Sequence, residues 1–141
     1  MYRLLTPTGV FPRLAGHLNI RDAARAHVLA LTAPPTSTVG RKRILISSPY
    51  ASDFQQSPAL IAAQRPDLKD RLIDAAKAPQ YPFTQIPIDF GRVEEVLGMK
   101  KEDFIKWDDT ILETVDALIE IERDWEKKGY KVEIPVHNGT F

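Results

Sequence analysis

A small mixed domain of the α/β class, α+β-like in character with about four helices and a few short strands, is the fold this sequence predicts. Three observations lead there. Apolar residues recur at helical spacing in some stretches and form short alternating or continuous runs in others. Asp22, Asp89 and Asp108 each stand before a helix-like stretch, and a Gly or Pro follows each one. With 43% apolar residues among 141, the chain can bury a core as a single domain over 1–141.

In chain order, residues 1–5 are short and apolar and read as the end of a helix whose beginning is absent. Leu18-Asn19-Ile20 alternates and reads as a short strand. Asp22 then caps a helix over 22–31, its carboxylate accepting from the exposed N–H groups of the first turn. Ala23, Ala26, Ala30, Val28, Leu29 and Leu31 place apolar surface on more than one side, which predicts a well-covered helix. Pro34 prevents continuation, and Pro34-Pro35-Thr36-Ser37-Thr38 reads as a surface loop. Arg43-Ile44-Leu45-Ile46-Ser47, bounded by Gly40 and Pro49, has the continuous apolar character of a buried strand with neighbours on both sides.

Pro58 suits the first turn of a helix reaching Gln64, and Pro66 stops it. Residues 81–88 are interrupted by Pro82 and Pro87 and read as extended. Asp89 caps a short helix over 92–97, with Gly98 as its left-handed stop. Asp108 caps the last helix. Its apolar residues are Ile111, Val115, Leu118, Ile119 and Trp125, its wet side carries Glu113, Asp116, Glu120, Arg123 and Lys127, and Gly129 ends it. Tyr130-Lys131-Val132-Glu133-Ile134 alternates, as an edge strand or a loose extension does.

Composition narrows the function classes. Lys plus Arg and Asp plus Glu number 19 each, so no net charge draws the chain to nucleic acid or an anionic membrane. The absence of Cys excludes a disulfide framework, a thiol nucleophile and a Cys-based metal site. No apolar run approaches the length of a membrane span, and Thr6, Pro7 and Thr8 interrupt any secretory signal, which makes a cytoplasmic protein the expectation. Asn138-Gly139-Thr140 fits a glycosylation acceptor, a triplet that also arises by chance.

The run Gly16-His17-Leu18-Asn19-Ile20-Arg21-Asp22-Ala23-Ala24-Arg25-Ala26-His27 resembles a segment well inside the extended short-chain dehydrogenase/reductases. It is most similar to the dihydroflavonol reductase and ketoreductase branch of that NAD-dependent epimerase/dehydratase superfamily. Arg65, Pro66, Leu68 and Lys69, the pair Leu97-Gly98, and Asp89 with Arg92 resemble weaker patterns of the same branch, so the likeness extends to about Trp125. The resemblance implies the C-terminal, substrate-binding lobe of such an enzyme, with the cofactor-binding half missing. Arg21 and Asp22 then belong to a structural turn, and 43–47 would pair with the absent sheet.

Hydride transfer in that family needs a glycine-rich turn that admits the pyrophosphate to a helix N-terminus. No G-x-G-x-x-G occurs here. The family's Tyr with a Lys four residues later is absent too, since Tyr2, Tyr50, Tyr81 and Tyr130 are followed at that spacing by Thr6, Phe54, Gln85 and Ile134. No cofactor is therefore expected, and no redox activity of the chain alone. His17 stands where the family commonly has an aromatic residue, and Asn19 where Asp or His is common. On a strand the two face the same side, as a proton carrier and a carbonyl donor would; a half-buried packing role for His17 is the competing reading. Tyr50, Phe54, Tyr81 and Phe83 flank proline-rich loops, where they line a substrate pocket or fill the core. His27 reads as locally bonded. His17, His27 and His137 lack metal-ligand spacing, so no metal site is expected.

The expected function is that of a truncated reductase-like protein of secondary metabolism that binds a small apolar carbonyl compound without autonomous NAD(P)H-dependent chemistry. Two alternatives accompany it: a cofactor-free isomerase, cyclase or dehydratase that reuses the pocket, and a non-catalytic subunit or fragment of a ketoreductase. An upstream coding segment with the missing motifs would make an intact reductase the answer. A strand without its sheet exposes backbone and apolar groups, so a homo-oligomer or a Rossmann-domain partner chain is expected to cover it.

Overall fold

The computed structural model describes residues 2–12, 16–81 and 86–131, and among them every regular element is helical. Five α-helices form: α1 (Ile20–Leu31), α2 (Thr36–Val39), α3 (Ser57–Gln64), α4 (Phe90–Leu97) and α5 (Trp107–Lys127). Tighter 3-10 turns cover Tyr2–Leu5, Pro66–Arg71, Ala75–Lys77 and Lys101–Asp103. The predicted mixed α/β class is thus overturned, because no strand and no sheet forms among the described residues.

The two strand-like runs show why. Ile20 is the first residue of α1, and Asn19 is its N-cap, the Oδ1 accepting the Arg21 N–H at 2.9 Å. Residues 43–47 keep the period-two burial of an extended chain, with Ile44 and Ile46 half-buried and Leu45 64% exposed. They have no ladder. The neighbouring Ser48 N–H reaches the His17 carbonyl at 2.8 Å, and a lone backbone bond does not make a sheet. Most of 130–134 and all of Asn138-Gly139-Thr140 lie outside the described residues.

The chain divides into two units. One takes the described residues within Met1–Arg13, Asp53–Gln80 and Asp108–Phe141. Its fully buried side chains include Leu4, Leu5, Ile61, Ile111 and Val115. On α5, Ile111, Val115 and Ile119 recur every four residues and are buried, while Glu113, Asp116, Glu120, Arg123 and Lys127 are exposed as their spacing predicts. Trp125 departs from the expected apolar stripe and is 48% exposed. The helix ends with Gly129 at φ +78°, where the Tyr130 N–H reaches back to the Trp125 carbonyl at 3.0 Å. Arg71 grips Glu122 with two bonds of 2.9 Å each, and the Tyr2 hydroxyl donates to the same carboxylate at 2.7 Å.

The other unit spans Leu14–Ser52 and Tyr81–Trp107. Its core is Ala26, Val93, Val96, Leu97, Met99 and Phe104, with Leu18, Ile44, Ile46 and Tyr50 packed against it. The expected caps of α4 are present: Asp89 Oδ1 accepts the Arg92 N–H at 3.0 Å, and Gly98 at φ +67° donates to the Glu94 carbonyl at 2.8 Å. A side chain at Gly98 would strain the left-handed backbone. The α1 N-terminus departs from expectation. Asp22 sits in its first turn, only 2% exposed, and its Oδ2 accepts the Ile105 N–H at 2.9 Å. Nor is α1 covered all round: Ile20, Val28 and Leu31 are 79%, 65% and 84% exposed. Among the described residues no helix is long and apolar enough to cross a membrane.

Candidate functional site

An apolar recess within one unit follows from small residues on α1. Ala23, Ala26 and Ala30 stand three and four apart, so they share a helix face that has almost no side-chain bulk. Ile44 and Ile46 from the irregular 41–48 segment, Val96 and Leu97 from α4, and Leu18 and Ala33 complete the wall of a groove of about 380 Å³. That size is sufficient for a small organic molecule. Only His27 and Lys42 bring polar side chains to the lining.

Both are partly committed. The His27 Nδ1 lies 2.7 Å from the Ala23 carbonyl, which can only accept, so Nδ1 carries the hydrogen. Nε2 is then the acceptor of the neutral ring. The Lys42 ammonium donates to the Ala33 carbonyl at 3.2 Å, which uses one of its three hydrogens. Among the described residues no carboxylate lines the groove.

His17 occupies a different environment. Its Nδ1 is 2.9 Å from Ser52 Oγ, which also accepts the Gly16 N–H at 3.0 Å. Its carbonyl accepts from the Ser48 N–H at 2.8 Å and from Ser47 Oγ at 2.9 Å. The ring meets Trp107 edge-on with centroids 4.8 Å apart. Nε2 is buried and has no hydrogen-bond partner among the described residues. Burial pushes the His17 pKa below its ordinary value, because desolvation penalises the charged ring. Gly16 itself runs at φ +120°, and a Cβ there would press on the Ile86 side chain, so this entry to α1 demands glycine.

The other sequence candidates are dispersed. Asn19 is 3% exposed and spends its Oδ1 on the α1 cap rather than facing one side of a strand with His17. Tyr50 packs against the core of its unit. Phe54 belongs to the other unit and is 4% exposed. Tyr81 is half-buried, and burial raises its phenol pKa. Phe83 and His137 lie outside the described residues. None of His17, Asn19, Tyr50, Phe54 and Tyr81 lines the groove. The residues that do, His27 and Lys42, carry one usable signal in the sequence, the alanine spacing that flanks His27 on α1. Among the described residues no three His, Asp or Glu side chains are placed to hold a metal ion. No family model matches this chain, and neither a curated protein nor a solved structure does.

Proposed function

We propose that this chain binds a small apolar carbonyl compound in the groove beside α1, without dinucleotide-dependent redox chemistry of its own. The observation that carries the reading is the groove itself: about 380 Å³, walled by alanine, leucine, isoleucine and valine, with an acceptor at His27 and a donor at Lys42. An apolar wall with a few polar groups holds a ligand by exclusion of water and orients it by hydrogen bonding. A carbonyl oxygen accepts from Lys42, and a neighbouring hydroxyl donates to His27 Nε2. The reductase-like block 16–27 supplies α1 and hence one wall, which links the groove to the resemblance; a cytoplasmic role in secondary metabolism rests on that resemblance alone.

Titration with a panel of aliphatic and aromatic ketones, followed by NMR shifts of α1 amides, tests the proposal. Wild type should bind, and Ala30→Trp, which fills the groove from an exposed position, should not. Equal binding by both proteins would refute the site. Micromolar binding of NADPH to the isolated chain would refute the statement about redox chemistry.

The exposed side of α1 favours a second reading, association with another copy or with a Rossmann-type partner chain. Ile20, Val28 and Leu31 lie eight and three residues apart and form one apolar stripe with Ala24. Sedimentation that shows a monomer at every concentration, unchanged by Leu31→Glu, would exclude self-association.

A further inference from the structure

We infer that the ligand's polar end is anionic, so that the groove takes a small amphiphilic carboxylate with its head at Lys42. The inference rests on the groove of the binding reading above and changes its polar end from a neutral carbonyl to an ionised carboxylate. Among the described residues the side chains that line the groove include one cation and no carboxylate. Lys42 donates to the Ala33 carbonyl, and no acidic side chain among the described residues pairs with it, which leaves hydrogens and a full charge for an incoming group. A ketone would accept one of those hydrogens and leave the charge as it is; a carboxylate accepts two and neutralises it. His27 spends its Nδ1 hydrogen on the Ala23 carbonyl, so the head group turns to Lys42. The hydrocarbon then lies along Ala23, Ala26, Ala30, Ile44, Ile46 and Val96.

Three probes with one hydrocarbon chain separate the terms: octanoate, octanol and octylammonium, titrated calorimetrically into wild type, Lys42→Gln and Ala30→Trp. At low salt wild type should prefer octanoate over octanol by about fivefold, the upper range for an exposed ion pair, and bind octylammonium most weakly. The preference should shrink as salt rises and vanish in Lys42→Gln, which alters an exposed side chain and should leave the melting temperature unchanged. Lengthening the alkanoate should tighten binding about fourfold per methylene until the groove is full. Equal affinity for octanoate and octanol in wild type, or a preference that survives in Lys42→Gln, overturns the anionic assignment while the groove keeps its apolar ligand. Failure of all three probes to bind wild type, or binding untouched by Ala30→Trp, overturns the groove reading together with it.

Discussion

Replacing Asp22 by alanine removes a buried carboxylate that ties the first turn of α1 to a backbone amide 83 residues away. The bond is 2.9 Å long, and Asp22 is 2% exposed. A hydrogen bond to an ionised acceptor contributes about 1.5–3 kcal/mol. The positive end of the helix dipole adds about 0.3–1 kcal/mol for a carboxylate in the first turn. Desolvation of the charge offsets part of this, and Ile105 is only half-buried, so water can reach the orphaned N–H in the variant. The expected net loss is about 2 kcal/mol, or about 7 °C in melting temperature for a chain of this size. Asp22→Asn keeps an acceptor and forfeits only the charge, so it should lose about half as much. Chemical denaturation measures the global term. Amide hydrogen exchange measures the local one, and the Ile105 amide should exchange at least tenfold faster in Asp22→Ala. A variant within about 0.5 kcal/mol of wild type, with Ile105 protection unchanged, would refute the assignment of Asp22 as a tertiary tie.

Two further predictions concern charge. The folded-state pKa of His17 lies below its unfolded value of 6.5, so the unfolded chain binds more protons between the two. Stability contributed by the neutral ring is complete above that unfolded value and declines as pH falls through it toward the depressed folded value; His17→Phe should flatten the slope measured by denaturation, and an identical slope in the variant would contradict it. Glu122 is held below the ordinary carboxylate range chiefly by Arg71 and then by Tyr2, so its contribution is present above the unfolded pKa of 4.5 and is lost as pH falls through the depressed value. Because the Arg71 side chain is 38% exposed, Arg71→Ala should cost about 1 kcal/mol at neutral pH, read by the same unfolding curves, and a neutral effect there would show the pair to be solvent-screened.

What was legible in the sequence is what is decided within a few residues. Asp89 and Gly98 bracket α4 because a cap needs only the N–H groups of the next turn and a stop needs only a left-handed residue. Pro58 and Pro66 bracket α3 for the same local reason. The strands failed because a strand is defined by a partner. Ile44-Leu45-Ile46 has the composition of one, yet the described residues offer it no ladder, and two of its three apolar side chains simply pack against the core beside α1 and α4. The start of α1 failed by three residues because Asn19 and Asp22 are both good caps. The tie at Ile105, far along the chain, draws Asp22 into the first turn and leaves the cap to Asn19.

The site was less legible than the fold, for a physical reason that His17 and His27 illustrate together. Residue type singled out His17, but type does not reveal what surrounds a ring. The fold encloses its Nε2 beside Trp107, where a proton would have no acceptor. His27 offered only a local backbone bond, the ordinary fate of a histidine on a helix. That same bond to Ala23 fixes the proton on Nδ1 and leaves Nε2 as an acceptor on a residue that lines the groove. The groove itself is made by what alanine lacks. A recess formed by missing side-chain volume has no motif, and becomes visible only when α1, the 41–48 segment and α4 stand around it.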